Sequence, residues 1–235
     1  AAANWHALAT FVAGDLAMHG KAVLIDVGST TTDIIPLKDG CVATHARTDF
    51  ERMQEGSLVY VGCRRTPVCA LVQRLRFRGR ESGVMNEWFA TIDDARLVLG
   101  LQNVGRGDAD TNGNIADDDG CDTADGKPRT AEMAANRLAR MIGLDRRDVS
   151  IEDAKEFAIQ IQDAATRRIQ ESVVRLAGHD CRWIISGHGD DLIELPPAGQ
   201  TIRLADRLGW ELARCAPSYA VAKLLQFNNP QPVTE

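Results

Sequence analysis

The apolar residues of this chain switch repeatedly between the spacing of helices and the spacing of strands. Five of them near the start share one helical stripe: Trp5, Leu8, Ala9, Val12 and Leu16. Runs rich in β-branched residues follow at 22–27 and 31–37, and a third run at 41–45 comes after the turn at 38–40. These patterns predict an amphipathic helix followed by a three-stranded antiparallel meander.

Helix-start signals and further periodic segments divide the rest of the chain. Three pairs of residues carry such signals: Thr48 with Glu51, Thr66 with Pro67, and Ser150 with Asp153. Helical spacing is also present at 87–101 and 129–143, whereas 57–62 is typical of a strand. Segment 181–194 predicts a strand, a glycine turn and a helix start, and segment 201–227 predicts a strand, an irregular turn and a helix. This alternation predicts the α/β fold class.

Composition narrows the classes of function. With 235 residues, 44% of them hydrophobic, the chain can bury a large core, which excludes a disordered chain or a coiled coil. A net charge of −6 provides no overall basic field for nucleic acid. The six cysteines form no C-x-x-C pair, and no apolar run approaches the roughly 20 residues that span a bilayer. We therefore expect a cytoplasmic protein without a nucleic-acid or membrane partner.

Segment 25–34, IDVGSTTTDI, carries the strongest chemical signal. Gly28 lets the main chain approach a ligand closely. Four hydroxyl residues follow it, whose side chains and N–H groups suit an oxyanion: Ser29, Thr30, Thr31 and Thr32. Asp26 and Asp33 flank the turn and could hold a hydrated Mg²⁺ against the same phosphate. Because β-forming residues follow, this is no Walker A loop but the tip of a hairpin, and an ordinary Thr-rich turn is the alternative.

Several other residues are candidates for binding phosphate. Arg64 and Arg65 directly precede a predicted helix start, where guanidinium groups suit a phosphate, and a solvated basic pair is the alternative. Arg137 falls at the edge of the apolar stripe of its helix, where it can face a cleft. Gly187 and Gly189 are predicted to open a helix after a buried strand, which suits a phosphate or adenosine contact.

Residues 108–119, DADTNGNIADDD, match the spacing of an EF-hand calcium loop. The candidate Ca²⁺ ligands are Asp108, Asp110, Asn112, Asn114 and Asp119. The twelfth position holds Asp instead of Glu and no helical pattern flanks the loop, so the sequence favours a solvated acidic insertion at 106–122. If calcium does bind, we expect the ion to order the following TADGKP segment at 123–128.

The motifs together resemble one known family. IDVGSTTTDI is similar to the second phosphate-binding hairpin of the actin-like ATPase superfamily, and WIISGHGDDL is similar to its later glycine turn. ANWHALATFVA, RTDFERMQEGSLVYVGCRRTPVCAL, TADGKPRT and RLARM resemble the hydantoinase A/oxoprolinase family, in a branch linked to tetrahydromethanopterin-dependent one-carbon transfer and methanofuran biosynthesis.

The resemblance implies a fold and an extent. The fold would be a partial actin-like, ribonuclease H-like α/β fold that lacks the first N-terminal phosphate hairpin. Residues 1–235 would form a single partial unit, with 1–21 as the remnant of an N-terminal lobe and 22–235 carrying the second hairpin, a helical insert and the glycine turn. We expect a D-x-G-x-[NST] hairpin to lie upstream of the chain.

The resemblance also implies a reaction. A transferase of this branch would join an aminomethylfuran methyl diphosphate to the phenol of a glutamyl-tyramine and release diphosphate. Asp26, Asp33 and Mg²⁺ would hold the diphosphate from one side, and Arg64 with Arg65 from another. Two carboxylates are candidates for accepting the phenol proton, Asp49 beside a helix cap and Asp125 in TADGKP, although a structural cap and a plain Asp-Gly turn explain them as well.

Two other functions remain open at this point. One is an ATP-dependent hydantoinase or oxoprolinase-type amidohydrolase, with ATP as its cofactor. The other is a nucleotide-binding protein of the same fold without catalysis. In each case the expected partners are small molecules, and a homo-oligomer is compatible with the sequence.

Overall fold

The computed structural model describes residues 4–101, 123–177, 181–197 and 199–228. Its helices are α1 (Asn4–Leu16), α2 (Asp49–Glu55), α3 (Val68–Leu71), α4 (Ile92–Leu99), α5 (Ala131–Arg140), α6 (Ile151–Ala177), α7 (Leu204–Leu208), α8 (Trp210–Arg214) and α9 (Ala216–Asn228). Its strands are β1 (Lys21–Val27), β2 (Thr32–Lys38), β3 (Cys41–Val42), β4 (Leu58–Val59), β5 (Arg74–Phe77), β6 (Arg80–Gly83), β7 (Arg182–Gly187) and β8 (Thr201–Arg203). The α/β class predicted from the sequence is confirmed. The chain divides into two compact units, the sheet unit (residues 1–60 and 169–235) and the helical unit (residues 61–168).

A mixed sheet forms the centre of the sheet unit. Its strand order is β3-β2-β1-β7-β8, and β4 pairs with β2. β1 and β2 are antiparallel, as are β2 and β3, while β1 runs parallel to β7 and β7 parallel to β8. The predicted meander is therefore confirmed, although its third strand is shorter than the predicted run at 41–45.

Helices α1 and α9 pack on one face of this sheet. Leu24 of β1 and Ile35 of β2 are paired in register, and both are buried in the same apolar cluster as the two helices. Phe11 of α1 meets Tyr219 of α9 edge-on, with ring centroids 5.6 Å apart. Burying one such aliphatic side chain contributes about 1.5–3 kcal/mol, so this layer fixes β1 and β2 in place.

The helical unit contains α3 to α5, the hairpin β5–β6 and the first part of α6. Ile92 of α4, Leu138 of α5 and Phe157 of α6 are fully buried. The hairpin packs on α6 through Phe77, whose ring centroid lies 5.6 Å from that of Phe157. The sequence did not predict this hairpin. None of the described helices is both long and apolar enough to cross a lipid bilayer.

Two predicted caps are confirmed. Thr48 and Glu51 form a capping box at the start of α2, which ends at Gly56 in the left-handed region. At the start of α6, the Ser150 N–H donates to Asp153 Oδ2 and the Asp153 N–H donates to Ser150 Oγ.

Several other predicted helix boundaries are wrong. The Thr66 hydroxyl donates to Gly62 O and accepts from the Gly62 N–H, so it caps no helix, and α3 is a single turn that begins after Pro67. The helix predicted at 87–101 begins only after Thr91, because the N–H of that residue donates to Asp94 Oδ2 and fixes the start. The helix start predicted after β7 is a single 3-10 turn at Asp190–Leu192, and the irregular turn predicted after β8 is the two short helices α7 and α8.

Gly187 at the end of β7 allows β7 and β1 to approach each other closely. Its φ is +91°, and a Cβ at this position would lie 2.2 Å from Val27 O. The next residue, His188, donates its backbone N–H to the same oxygen at 2.8 Å. Since the clash is with backbone atoms, no side-chain movement can relieve it.

We therefore expect Gly187→Ala to destabilise the protein well beyond the conformational cost of a left-handed residue. Gly199 is a matched control, because its φ is +94° and no described atom lies within 4 Å of its Cβ direction. Gly199→Ala should cost only about 1–2 kcal/mol of strain. Gly187→Ala should cost a further 1–3 kcal/mol, roughly, from overpacking, as measured by urea unfolding. An equal loss of unfolding free energy in the two variants would contradict the close approach of Gly187 to the Val27 backbone.

Candidate functional site

The segment IDVGSTTTDI forms a β-hairpin, as predicted. Asp26 pairs with Asp33 across β1 and β2, and Val27 pairs with Thr32. The Gly28 N–H donates to Thr31 O at 2.9 Å and closes the tip. Ser29, Thr30 and Thr31 remain in the tip, whereas Thr32 is fully buried within β2.

A buried arginine fixes one of the two hairpin acids. Arg52 of α2 is 1% exposed, and its Nη2 donates to Asp33 Oδ1 at 2.6 Å and to Ser57 O at 2.8 Å. The guanidinium carbon lies 4.1 Å from the ring centroid of Trp5, which adds a cation–π contact. The pairing is tertiary, and the only sequence signal for Arg52 was its place in the capped segment TDFER.

The other hairpin acid, Asp26, has strongly perturbed electrostatics. Its pKa is raised to about 6, mainly by burial and also by the charge of Asp33, while Ser186 on the neighbouring strand β7 acts in the opposite direction. Burial also raises the pKa of Asp33, with Arg52 opposing this and Asp49 adding to it. With a pKa of about 6, the Asp26 carboxyl is still largely ionised at pH 7, and a nearby cation would favour that charged form further.

Asp26 and Asp33 are compatible with a hydrated divalent ion. Within the described ranges, no group of three or more His, Cys, Asp and Glu side chains could hold a metal alone. An ion here would need water or phosphate oxygens as its other ligands, which is how Mg²⁺ commonly binds. Burial and the charge of Asp33 both raise the pKa of Asp26, and the charge of such an ion would oppose both effects.

The glycine turn lies beside the hairpin within the sheet unit. Gly187 ends β7 next to Val27, and Gly189 precedes the 3-10 turn, whose Leu192 N–H donates back to Gly189 O. Asp190 forms an ion pair with Arg203 of β8. Because the turn is a single 3-10 turn, it offers no long helix N-terminus to a phosphate.

The predicted arginine pair lines a cavity in the helical unit. The cavity has a volume of about 160 Å³ and is surrounded by seven residues: Arg64, Arg65, Trp88, Thr91, Asp93, Asp94 and Thr123. Arg64 is half-buried and Arg65 is exposed. We call this site the arginine pocket.

Buried ion pairs support the arginine pocket. Arg137 is fully buried, and it donates from Nε to Asp94 Oδ1 at 2.8 Å and from Nη1 to Asp125 Oδ1 at 3.0 Å. Arg129 donates from Nε and Nη2 to the two oxygens of Asp93 at 2.8 and 3.0 Å. The structure therefore joins Asp125 and Arg137, which the sequence singled out separately, through ion pairs that lead to the pocket.

Asp94 is a pocket residue that the sequence analysis missed. Burial raises its pKa to about 6, Arg137 and the Thr91 N–H oppose this, and Asp93 adds to it. The TIDD pattern at 91–94 has capping spacing, and Asp94 does bond the Thr91 N–H. That local role is all a single sequence can indicate, because the partner Arg137 lies 43 residues away.

The predicted site residues thus fall into two groups. Asp26, Asp33, Asp49, the hairpin tip and the glycine turn belong to the sheet unit, and Arg64, Arg65, Asp125 and Arg137 belong to the helical unit. Asp49 is the half-buried first residue of α2. The phosphate role of Arg137 stays a prediction, and its guanidinium is occupied by two carboxylates. The predicted calcium ligands at 108–119 lie outside the described residues.

The raised pKa of Asp26 predicts a pH-dependent stability. The pKa of Asp26 is 3.8 in its ordinary state and about 6 in the folded protein. The folded state therefore binds the proton more tightly than the unfolded chain, and this stabilisation is complete below a pH of about 4. It is lost as the pH rises through 6. Two pKa units correspond to about 3 kcal/mol. We expect Asp26→Asn to abolish this loss and to be more stable than the natural chain at pH 7.5, in urea unfolding measured between pH 4 and 8.

A control variant removes the same charge from an exposed place. Asp15 lies exposed on α1, so Asp15→Asn should leave the pH profile of unfolding unchanged. An Asp26→Asn profile that runs parallel to that of the natural chain would show that Asp26 is not the titrating group.

Comparison with known proteins agrees with the resemblance described above. A family model described as hydantoinase/oxoprolinase matches residues 1–192. A protein of Methanocaldococcus jannaschii is 34% identical over 230 residues, which cover 96% of this chain and 64% of that relative. A protein of Methanococcus vannielii is 31% identical over 215 residues, which cover 88% of this chain and 91% of that relative.

Both relatives carry the same name, (4-{4-[2-(gamma-L-glutamylamino)ethyl]phenoxymethyl}furan-2-yl)methanamine synthase. The chain spans somewhat less than two thirds of the length of the Methanocaldococcus jannaschii protein. The family model covers more than half of the chain, and each of the two relatives matches the chain over most of the chain's length. The chain belongs to the hydantoinase/oxoprolinase family.

Proposed function

We propose that this chain is a transferase of methanofuran-type cofactor biosynthesis in tetrahydromethanopterin-linked one-carbon metabolism. Its substrates would be an aminomethylfuran methyl diphosphate and the phenol of a glutamyl-tyramine. The phenol oxygen forms a bond to the furan methylene carbon, the bond from that carbon to the diphosphate oxygen breaks, and a proton and diphosphate leave. The names of the two relatives describe an aryl ether of this kind, a phenoxymethyl group on a furan.

The arginine pocket is the observation that carries the proposal. Loss of diphosphate concentrates negative charge on the leaving oxygens, and fixed cations stabilise that charge as it develops. Arg64 and Arg65 line the same cavity, and guanidinium groups bind phosphate oxygens through two parallel hydrogen bonds. At about 160 Å³ the cavity is smaller than the roughly 300–1,000 Å³ of pockets that enclose drug-sized ligands. The volume suits an anionic group better than a whole substrate.

The hairpin of the sheet unit is a separate candidate phosphate site. Its tip, 28–31, presents hydroxyls and backbone N–H groups, and the glycine turn at Gly187 and Gly189 lies beside the end of β1. Asp26 is the acid that would hold Mg²⁺, because Asp33 is already engaged by Arg52. When bound, the ion would neutralise charge on phosphate oxygens.

We also propose that the sheet unit is part of an actin-like fold. The sequence resemblance implies a phosphate hairpin and a later glycine turn, and the sheet unit contains the antiparallel hairpin β1–β2 and a glycine turn after β7, which runs parallel to β1. The topology is compatible with that superfamily, and the family match supports it.

The reaction can be assayed with the two synthetic substrates by measuring the aryl ether and the released diphosphate. We expect Arg64→Ala and Arg65→Ala each to lower kcat/KM by roughly 10²–10³-fold, as removal of one donor to a developing anion does. Arg80→Ala is the matched control, because Arg80 is an exposed residue of β6 outside the pocket, and it should retain full activity. ATP consumption without ether formation would contradict the proposal and favour an ATP-dependent amidohydrolase.

Mg²⁺ dependence tests the role of the hairpin acid. EDTA should abolish turnover and added Mg²⁺ should restore it, because the phosphate charge is otherwise uncompensated beside Asp26. Asp26→Asn should raise the Mg²⁺ concentration for half-maximal activity at least tenfold, whereas Asp15→Asn should not change it. Full activity in EDTA would exclude the metal.

A further inference from the structure

We propose that Asp94, and neither Asp49 nor Asp125, accepts the phenol proton, because its buried carboxyl lines the same cavity as Arg64 and Arg65. This inference rests on the proposed ether-forming reaction. It assigns the base of that reaction to a residue of the pocket that would also hold the departing diphosphate.

The geometry leaves Asp94 able to accept a proton. The residue is 4% exposed, and it lines the cavity. Oδ1 accepts from Arg137 Nε at 2.8 Å, and Oδ2 accepts from the Thr91 N–H at 2.9 Å. Arg137 Nη2 also lies 2.7 Å from Oδ1, so the guanidinium occupies that oxygen. A carboxylate oxygen can accept two hydrogen bonds, so these contacts hold the carboxylate in place while a site on Oδ2 remains for the phenol.

The charges around Asp94 tune its basicity. Arg137 on α5 and the Thr91 N–H at the start of α4 stabilise the ionised form, while burial and Asp93 on α4 favour the protonated form. Arg64 and Arg65 line the same cavity. The balance raises the pKa of Asp94 to about 6. A base is most effective when its pKa is near the working pH, and this carboxyl is still largely ionised at pH 7.

The two carboxylates singled out by the sequence have other parts in the structure. Asp125 does not line the cavity; its Oδ1 accepts from Arg137 Nη1 at 3.0 Å, so it acts on Asp94 through that arginine as a positioning residue. Asp49 is the first residue of α2, where a negative charge is favourable at the helix N-terminus.

The first experiment compares Asp94→Asn with a structural counterpart. Asp153 makes the same two kinds of contact on α6, a helix-start bond and an arginine pair, because its Oδ2 accepts from the Ser150 N–H at 2.9 Å and pairs with Arg78 at 2.9 Å. Asp94→Asn should lower kcat by roughly 10²–10³-fold, the usual effect of losing a general base. At saturating Mg²⁺, which lowers the pKa of Asp26, it should also remove the acid limb of the kcat/KM profile near pH 6. Asp153→Asn should keep the natural kcat and the natural acid limb.

A second readout separates chemistry from structure. Ring fluorination of the glutamyl-tyramine makes its phenol more acidic, so less help from a base is needed. The ratio of natural to Asp94→Asn activity should therefore fall at least tenfold with the fluorinated substrate. A residue that only supports the fold would lose the same factor with both phenols.

The outcomes distinguish this inference from the proposed function. If the natural chain forms no ether, the proposed function fails. If the natural chain is active and folded Asp94→Asn keeps more than a third of its activity with an unchanged acid limb, the assignment of Asp94 is overturned and the function stands. If circular dichroism shows that Asp94→Asn does not fold, the natural chain is assayed with phenols of different pKa. The acid limb of its kcat/KM profile should stay at the same pH with each phenol, and a limb that shifts with the pKa of the phenol overturns the assignment.

Discussion

A guanidinium group that is fully removed from water needs a carboxylate partner, and the described part of each unit contains such an arginine. Arg52 in the sheet unit is 1% exposed and Arg137 in the helical unit is 0% exposed. Desolvating a charge of this kind costs several kcal/mol unless it is paired and hydrogen-bonded. The requirement fixes Asp33 under the phosphate hairpin, and it fixes Asp94 and Asp125 beside the arginine pocket.

The same pairing leaves carboxyl charge that is only partly compensated. In the hairpin, Asp26 adds a second acid beside the Asp33–Arg52 pair, and in the pocket Arg137 is shared between two acids. Burial raises the pKa of both Asp26 and Asp94 to about 6. A carboxyl in that state gains most from a cation or a proton, and we have proposed a metal ion for the first and the phenol proton for the second.

The sequence predicted the parts of this structure that depend on neighbouring residues. The hairpin follows from β-branched runs around Gly28, and the capping pairs at Thr48 and Ser150 are local. The predicted cap at Thr66 is wrong because Gly62 takes its hydroxyl, and hairpin β5–β6 was missed because Leu75 is its only fully buried residue. The pairing of Arg137 with Asp94 joins residues 43 positions apart, so no local pattern could indicate the base.

Labelling the phenol of the glutamyl-tyramine with ¹⁸O tests the central claim, transfer from a diphosphate to the phenol, most directly. We predict that mass spectrometry of the aryl ether finds the label fully retained, because the phenol oxygen attacks carbon, and that the released diphosphate contains none of it. Appearance of the label in a phosphate product, together with loss of ATP, would show instead that the phenol is phosphorylated first.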